Sequence, residues 1–316
     1  MAFKDKILIA LGGNALLDSK SKGTIEEKEL AADLTAKQLY SFLASDYKVI
    51  FTHGNGPQVG NLLIQNEEAS KKIPPMPLDV CVAETQGEIG YILQKSIQNH
   101  LNQFKIKRNI ITVLTQVVVD ENDPAFENPS KPVGPYYNIE HAKELISQKG
   151  WKFREDPAGK GFRRIVPSPK PISVIQTKLI NDLADAGNIV IAVGGGGIPV
   201  TLDSEGKIKG IEAVIDKDFA SSQLAIDINT DEFIILTNVD KCYINFNKPN
   251  QIALSEMNLD EANTYIDQGH FSSGSMGPKV SAAVEYVTNT GKKAIITNIE
   301  NLMLALENKQ GTIIHQ

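Results

Sequence analysis

The sequence predicts an α/β fold, a largely parallel β-sheet covered by helices on both faces, with one small protruding subdomain. Short apolar, β-branched runs alternate along the chain with longer amphipathic stretches. Three of those runs end directly in glycine-rich turns, at the strand edge where open α/β sheets usually bind ligands. With 316 residues and 41% hydrophobic content, the chain can build one large domain, or two smaller ones, around a sizeable core.

The first strand is Ile7-Leu8-Ile9-Ala10-Leu11. Lys4 and Lys6 ahead of it suggest a secretory signal, but Gly12-Gly13-Asn14 interrupts the apolar stretch at once. A helix follows, because Thr24 and Glu27 have capping-box spacing and Leu30, Leu34, Leu39, Phe42 and Leu43 form an apolar stripe. Asp79 to about Leu101 reads as a second, longer helix. The other candidate strands are Lys48–Thr52, Asn109–Val118, Asn188–Val193, Glu232–Thr237 and Lys293–Thr297.

Between Asp120 and Pro171 the texture changes. Eight of the chain's 15 prolines fall there, with Gly134, Gly159, Gly161, the Arg163-Arg164 pair and the one Trp. Such a stretch is expected to hold neither a central strand nor a helix. It is too long for a bare loop in a compact domain, so residues 120–171 are read as the protruding subdomain. It is inserted in a single domain spanning 1–316.

A net charge of −6 argues against a nucleic-acid partner, and no apolar run is long enough to span a bilayer. Cys81 and Cys242 stand far apart, with neither CxxC nor His spacing around them. No metal-ligand pattern is expected, and a reducing, cytoplasmic location fits best.

The three turns are Leu11-Gly12-Gly13-Asn14, Thr52-His53-Gly54-Asn55-Gly56-Pro57 and Val193-Gly194-Gly195-Gly196-Gly197-Ile198-Pro199. Glycines let backbone N–H groups converge on an anion, so the three together point to a phosphate site. A Walker A loop is absent. The run Gly54-Asn55-Gly56-Pro57-Gln58-Val59-Gly60 misses the dinucleotide fingerprint, because its third glycine falls one place late. Asp216-Lys217-Asp218 and Gly277-Pro278-Lys279 each open an expected helix, with Pro278 suited to the first helical position. A cation in a first turn opposes the helix dipole by about 0.3–1 kcal/mol, a cost that a bound polyphosphate would offset. Lys131 lies in Lys131-Pro132-Val133-Gly134-Pro135 and is uninformative alone.

Taken together these segments, with Glu212-Ala213-Val214-Ile215 before Asp216 and Gly274-Ser275-Met276 before Gly277, resemble the carbamate kinases of the amino acid kinase family. The resemblance covers nearly the whole chain in order and spacing. It implies a three-layer αβα sandwich, a homodimer, and Mg²⁺ carried with ADP or ATP rather than held in a protein cage. The implied reaction is reversible: carbamoyl phosphate and ADP give ATP and carbamate, which breaks down to ammonia and CO₂. The N-terminal half would take carbamoyl phosphate and residues from about 188 to 316 the nucleotide. Most of the wider family carries a lysine two places before the first glycine pair. Ala10 stands there in this chain, so Lys131 is the expected replacement charge. A family member acting on another carboxylate or a nucleoside monophosphate, or an inactive nucleotide-binding regulator, are the alternatives.

By this resemblance Lys131 serves the transferring phosphoryl group. Lys217 and Lys279 serve the nucleotide phosphates, and Asp218 orients those two lysines. Gly12, Gly13, Asn14, Gly54, Asn55, Gly56 and Gly194, Gly195, Gly196 and Gly197 supply donors around the substrate oxygens. Asp216, Thr237, Asn238, Val239, Tyr243, Met276 and Gly277 join Lys217 and Lys279 around the nucleotide. His53 is read as structural or substrate-adjacent, because carbamate is already an anion and needs no general base. Cys242 is either a thiol lining the nucleotide or a small buried hydrophobe.

Overall fold

The computed structural model of the chain describes residues 3–12, 23–156, 159–272 and 274–316. An eight-stranded sheet runs in the order Glu256–Asn258, Thr312–His315, Ala294–Thr297, Glu232–Leu236, Lys6–Leu11, Lys48–His53, Ile189–Ile191, Ile110–Thr112. Every neighbouring pair is parallel except Ala294–Thr297 with Thr312–His315.

Side-chain alternation along the central strand divides the core between the two faces. Ile7, Ile9 and Leu11 pack with Ala32, Phe42, Ile89, Leu93, Ile97 and Leu302 from helices on one side. Leu8 and Ala10 pack with Ile180, Leu224, Ala262, Val280 and Tyr286 from helices on the other. The result is the expected three-layer αβα sandwich.

Two smaller sheets extend it. A four-stranded sheet runs Ile208–Gly210, Ile198–Leu202, Gln116–Val119, Pro171–Val174. A three-stranded antiparallel sheet runs Lys131–Tyr137, Phe162–Val166, Lys152–Glu155 and carries its own cluster of Tyr137, Ala142, Leu145, Trp151, Phe153 and Phe162. This small sheet leans on the Gly56–Ala69 helix, where the Tyr137 hydroxyl donates to Glu67 Oε2 at 2.6 Å and Val133 packs with Val59.

Three local expectations fail, each for a physical reason. The run read as one strand, Asn109–Val118, is two strands in different sheets. Between them the Gln86 amide accepts from Thr115 N at 2.8 Å and donates to Thr115 O at 3.1 Å, which satisfies the backbone where a ladder would continue. The 120–171 stretch does contain a helix, Ile139–Lys149, fitted into the proline-free interval and capped by Asn138 and Gly150. The stripe on the first helix is not all buried. Leu30 and Leu34 are exposed, and Ala32, Thr35 and Ala36 turn inward, small enough for the helix to approach the Leu78–Gln103 helix closely.

Candidate active site

A cleft of about 710 Å³ opens where the small sheet faces the ends of the large one. The Lys48–His53 strand passes through Gly54 and Asn55 into the Gly56–Ala69 helix, and Gly54, Asn55, Gly56 and Pro57 line one wall. Asn55 is held by its side-chain amide, which donates to Thr85 Oγ1 at 2.9 Å.

The four-glycine run sits directly behind that wall. Gly195 has φ +66, and a Cβ on it would lie 2.3 Å from the Asn55 amide. Gly196 has φ +90, with its Cβ position 2.2 Å from the Ile215 carbonyl oxygen. Only glycine, with no Cβ, combines that conformation with that clearance. The run therefore brings three segments together: the strand end, the Asn55 turn and the chain leading to Asp216. Of its four glycines Gly195 is the one that lines the cleft, while Gly194, Gly196 and Gly197 serve the close packing behind it.

The opposite wall is two helix starts. Asp216 caps the Lys217–Asp227 helix by accepting from Asp218 N at 2.9 Å, so Lys217 and Asp218 occupy its first turn. Gly277, Pro278 and Lys279 follow Met276, the first residue of the Met276–Thr290 helix. Pro278 is thus the third helical residue rather than the first, still within the turn where a missing N–H costs nothing. Asp218 bridges the two lysines: Lys217 Nζ donates to Oδ1 at 2.8 Å and Lys279 Nζ to Oδ2 at 2.9 Å. Lys131 reaches across from the small sheet and donates to Asp216 Oδ2 at 2.8 Å.

The electrostatics follow from burial. Desolvation works against the charged form of Asp218, yet the ammonium groups of Lys217 and Lys279 outweigh it and hold the carboxyl below its usual range. Burial pushes Lys217 below the usual lysine range, Asp218 pulls it back, and Lys279 pushes it further down. Lys131, Arg163, Lys217 and Lys279 face Asp216 and Asp218 in the lining, which leaves a formal excess of two positive charges. That excess suits a polyanion.

His53 stands at the strand end with its ring against Gly194 and its Nδ1 2.9 Å from the Gly54 carbonyl oxygen. Burial lowers its pKa to about 4; the Gly54 contact raises it and the Lys217 ammonium lowers it again. The imidazole is neutral at physiological pH. The unfolded chain takes up its proton near 6.5, so this stability is fully present above that value and is lost as pH falls toward 4. Between pH 6.5 and about pH 5, the parent is expected to lose roughly 1–2 kcal/mol more than His53→Gln in urea unfolding. Equal slopes would show that the ring is solvated.

The remaining expected site residues divide. Gly13 and Asn14 lie outside the described residues. Gly12, Thr237 and Asn238 line a second cleft of about 740 Å³ together with Leu34 and Asn298. Val239, Tyr243, Met276 and Gly277 line neither cleft. The Tyr243 hydroxyl donates to Asp240 Oδ1 at 2.6 Å, Met276 Sδ lies 3.8 Å from Cys242 Sγ, and Gly277 N donates to Ser272 O at 2.9 Å. Cys242 is fully buried, and burial pushes its thiol up to about 12. Two contributors carried no signal as such in the sequence. Gln86 ties Thr115 to Gly194, donating to the Gly194 carbonyl oxygen at 3.0 Å. Arg163, noticed only as half of a basic pair, lines the cleft.

Residues 5–298 match the model of the amino acid kinase family. The chain is similar to the carbamate kinase of Thermococcus kodakarensis, 47% identical over 310 residues that cover 97% of this chain and 98% of that one. Among solved structures it resembles a carbamate kinase from Giardia lamblia bound to AMP-PNP, with a TM-score of 0.94 and 42% identity over 100% of this chain and 99% of the other. It also resembles the Giardia lamblia enzyme thiocarbamoylated by disulfiram on that protein's Cys242, with a TM-score of 0.91 and 41% identity over 98% of both chains.

Proposed function

The chain belongs to the amino acid kinase family, and from that premise we propose a carbamate kinase whose phosphoryl transfer runs in the cleft between Lys131 and the Lys217–Asp218–Lys279 cluster. It catalyses reversible phosphoryl transfer between carbamoyl phosphate and ADP, giving ATP and carbamate, and its catabolic direction forms ATP. The observation that carries the site is the convergence of three lysines from distant parts of the chain on one cleft, two of them sharing the carboxylate of Asp218.

Transfer of a phosphoryl group needs alignment and charge neutralisation rather than covalent assistance. Lys217 and Lys279 hold the nucleotide phosphates at the starts of two helices, where the dipoles also favour negative charge. Asp218 fixes both ammonium groups in one geometry before substrate arrives. Lys131 leaves Asp216 to meet the oxygens of the phosphoryl group in flight, supplying the charge that Ala10 lacks. Gly54, Asn55, Gly56 and Gly195 hold the carbamoyl phosphate side; Gly12, expected with them, lines the second cleft instead, beside Thr237 and Asn238, which border the nucleotide.

Among the described residues no three His, Cys, Asp or Glu side chains stand together as a metal cage. Mg²⁺ carried with ADP or ATP, as the family resemblance implies, would neutralise charge on the nucleotide phosphates. The AMP-PNP complex of the Giardia lamblia relative supports the nucleotide. Residues 120–171 act as the protruding subdomain that delivers Lys131. The resemblance to the carbamate kinases implies that the chain pairs as a homodimer. Two free, buried cysteines suit the cytoplasm.

The test is an ADP-dependent assay. Carbamoyl phosphate, ADP and Mg²⁺ must give ATP well above the nonenzymatic background, and none above it would overturn the reading.

A further inference from the structure

Arg163 is the cation that the lysine chemistry leaves over. Its strand, Phe162–Val166, sends alternate side chains to opposite faces of the small sheet. Arg164 turns inward, is buried, pairs with Glu212 Oε2 at 2.9 Å and stacks on Trp151 with its guanidinium carbon 4.0 Å from the ring centroid. That arginine is spent on structure. Arg163 turns the other way and lines the same cleft as Lys131.

Each lysine of the cleft already has a carboxylate: Lys131 has Asp216, and Lys217 and Lys279 share Asp218. Arg163 pairs with none among the described residues. Its Nε donates to the Gly134 carbonyl oxygen at 3.2 Å, and its guanidinium lies 5.4 Å from the centre of the Tyr136 ring. These contacts hold the fork in place by one edge and one face. Its two Nη groups meet no acceptor among the described residues.

The backbone explains the position. Pairing between the strands of Lys131 and Arg163 shifts register between Val133 and Tyr137, and Gly134 takes φ +71 inside that bulge. The bulge turns the Gly134 carbonyl toward Arg163, so the loop that carries Lys131 and the strand that carries Arg163 are tied at one point. A planar fork whose two Nη groups are free matches the paired oxygens of a phosphate or carboxylate, which a lysine cannot do bidentately.

We propose that Arg163 binds carbamoyl phosphate directly, its Nη groups holding the anionic oxygens while its Nε keeps the Gly134 turn beside Lys131. The inference rests on the carbamate kinase reading and sharpens it. Arg163 determines affinity for the carbamoyl phosphate side, whereas the nucleotide belongs to Lys217 and Lys279. Interactions made equally in the ground and transition states change KM and leave kcat.

Arg163→Met and Arg163→Lys are compared with the parent for both substrates, with thermal unfolding as the control for folding. Arg163→Met is expected to raise KM for carbamoyl phosphate about tenfold or more, the size of one lost charge-assisted hydrogen bond. KM for ADP and kcat stay within about threefold of the parent. Arg163→Lys recovers only part of the loss, and added methylguanidinium restores Arg163→Ala. A KM for carbamoyl phosphate within about twofold of the parent in folded Arg163→Met overturns the proposal. So does a fall in kcat at unchanged KM, which marks a positioning role through Gly134 alone. If Arg163→Met does not fold, Arg163→Lys carries the same test on KM. A parent that makes no ATP defeats the functional reading itself, a different result from an active parent indifferent to Arg163.

Discussion

Lys131→Ala is expected to lower ATP-forming turnover at least about a hundredfold, the cost of removing one preorganised charge from a developing transition state. The side chain is 39% exposed and reaches Asp216, its only ion-pair partner among the described residues, across the cleft, so little of the fold depends on it. Its strand is held by Val133 in a buried cluster and by the Tyr137 contact to Glu67, neither of which involves the ammonium group. The melting temperature should therefore stay close to that of the parent. ADP affinity should change little, because Asp218 and its two lysines are untouched. Steady-state kinetics beside thermal unfolding decide the matter, and near-normal turnover in the folded variant would remove Lys131 from the mechanism.

Asp218→Asn should damage both stability and activity. Asp218 is 3% exposed, and the side chains of Lys217 and Lys279 are 13% and 12% exposed. Neutralising the carboxylate leaves two buried ammonium groups facing each other without the carboxylate they share, with Asp216 the remaining negative group beside Lys217. Removing one partner of a buried ion pair costs about 3–5 kcal/mol, enough to lower the melting temperature by several degrees. On the proposed reading, ADP brings negative charge to the same two lysines. The nucleotide should accordingly raise the melting temperature more in the variant than in the parent. Turnover falls as well, because the lysines lose the geometry they share. A variant as stable as the parent without ligand would mean that the cluster is solvated and that Asp218 does not organise it.

The sequence made the chemistry legible and hid the packing. The strand end at Leu11 followed from an apolar run stopped by glycine, the ends expected at Thr52 and Val193 fall at His53 and Ile191, and the helix starting at Lys217 was expected from Asp216-Lys217-Asp218. Lys131, Lys217 and Lys279 stood in segments whose wording resembles one family, yet their meeting through Asp216 and Asp218 is a long-range fact. The four glycines looked equivalent in the sequence. They differ because the Asn55 amide, the Ile215 carbonyl and Val117 crowd different members of the run, and those neighbours come from elsewhere in the chain. Leu30 and Leu34 were expected inside because they are large and apolar; Ala32 and Ala36 took the inner face because two helices pack closely there. Arg163 and Arg164 were one basic pair until strand alternation sent one to Glu212 and the other to the cleft. Proline density in 120–171 argued against a helix there, but the helix Ile139–Lys149 contains no proline, and local interval rather than average composition decided it.

The central claim is tested most directly by measuring ATP and ammonia together as carbamoyl phosphate is consumed in the presence of ADP and Mg²⁺. Phosphoryl transfer to ADP leaves carbamate, which breaks down to ammonia and CO₂, so the account predicts one ATP and one ammonia for each carbamoyl phosphate used enzymatically. Ammonia and free phosphate without ATP, or consumption indifferent to ADP, would contradict it.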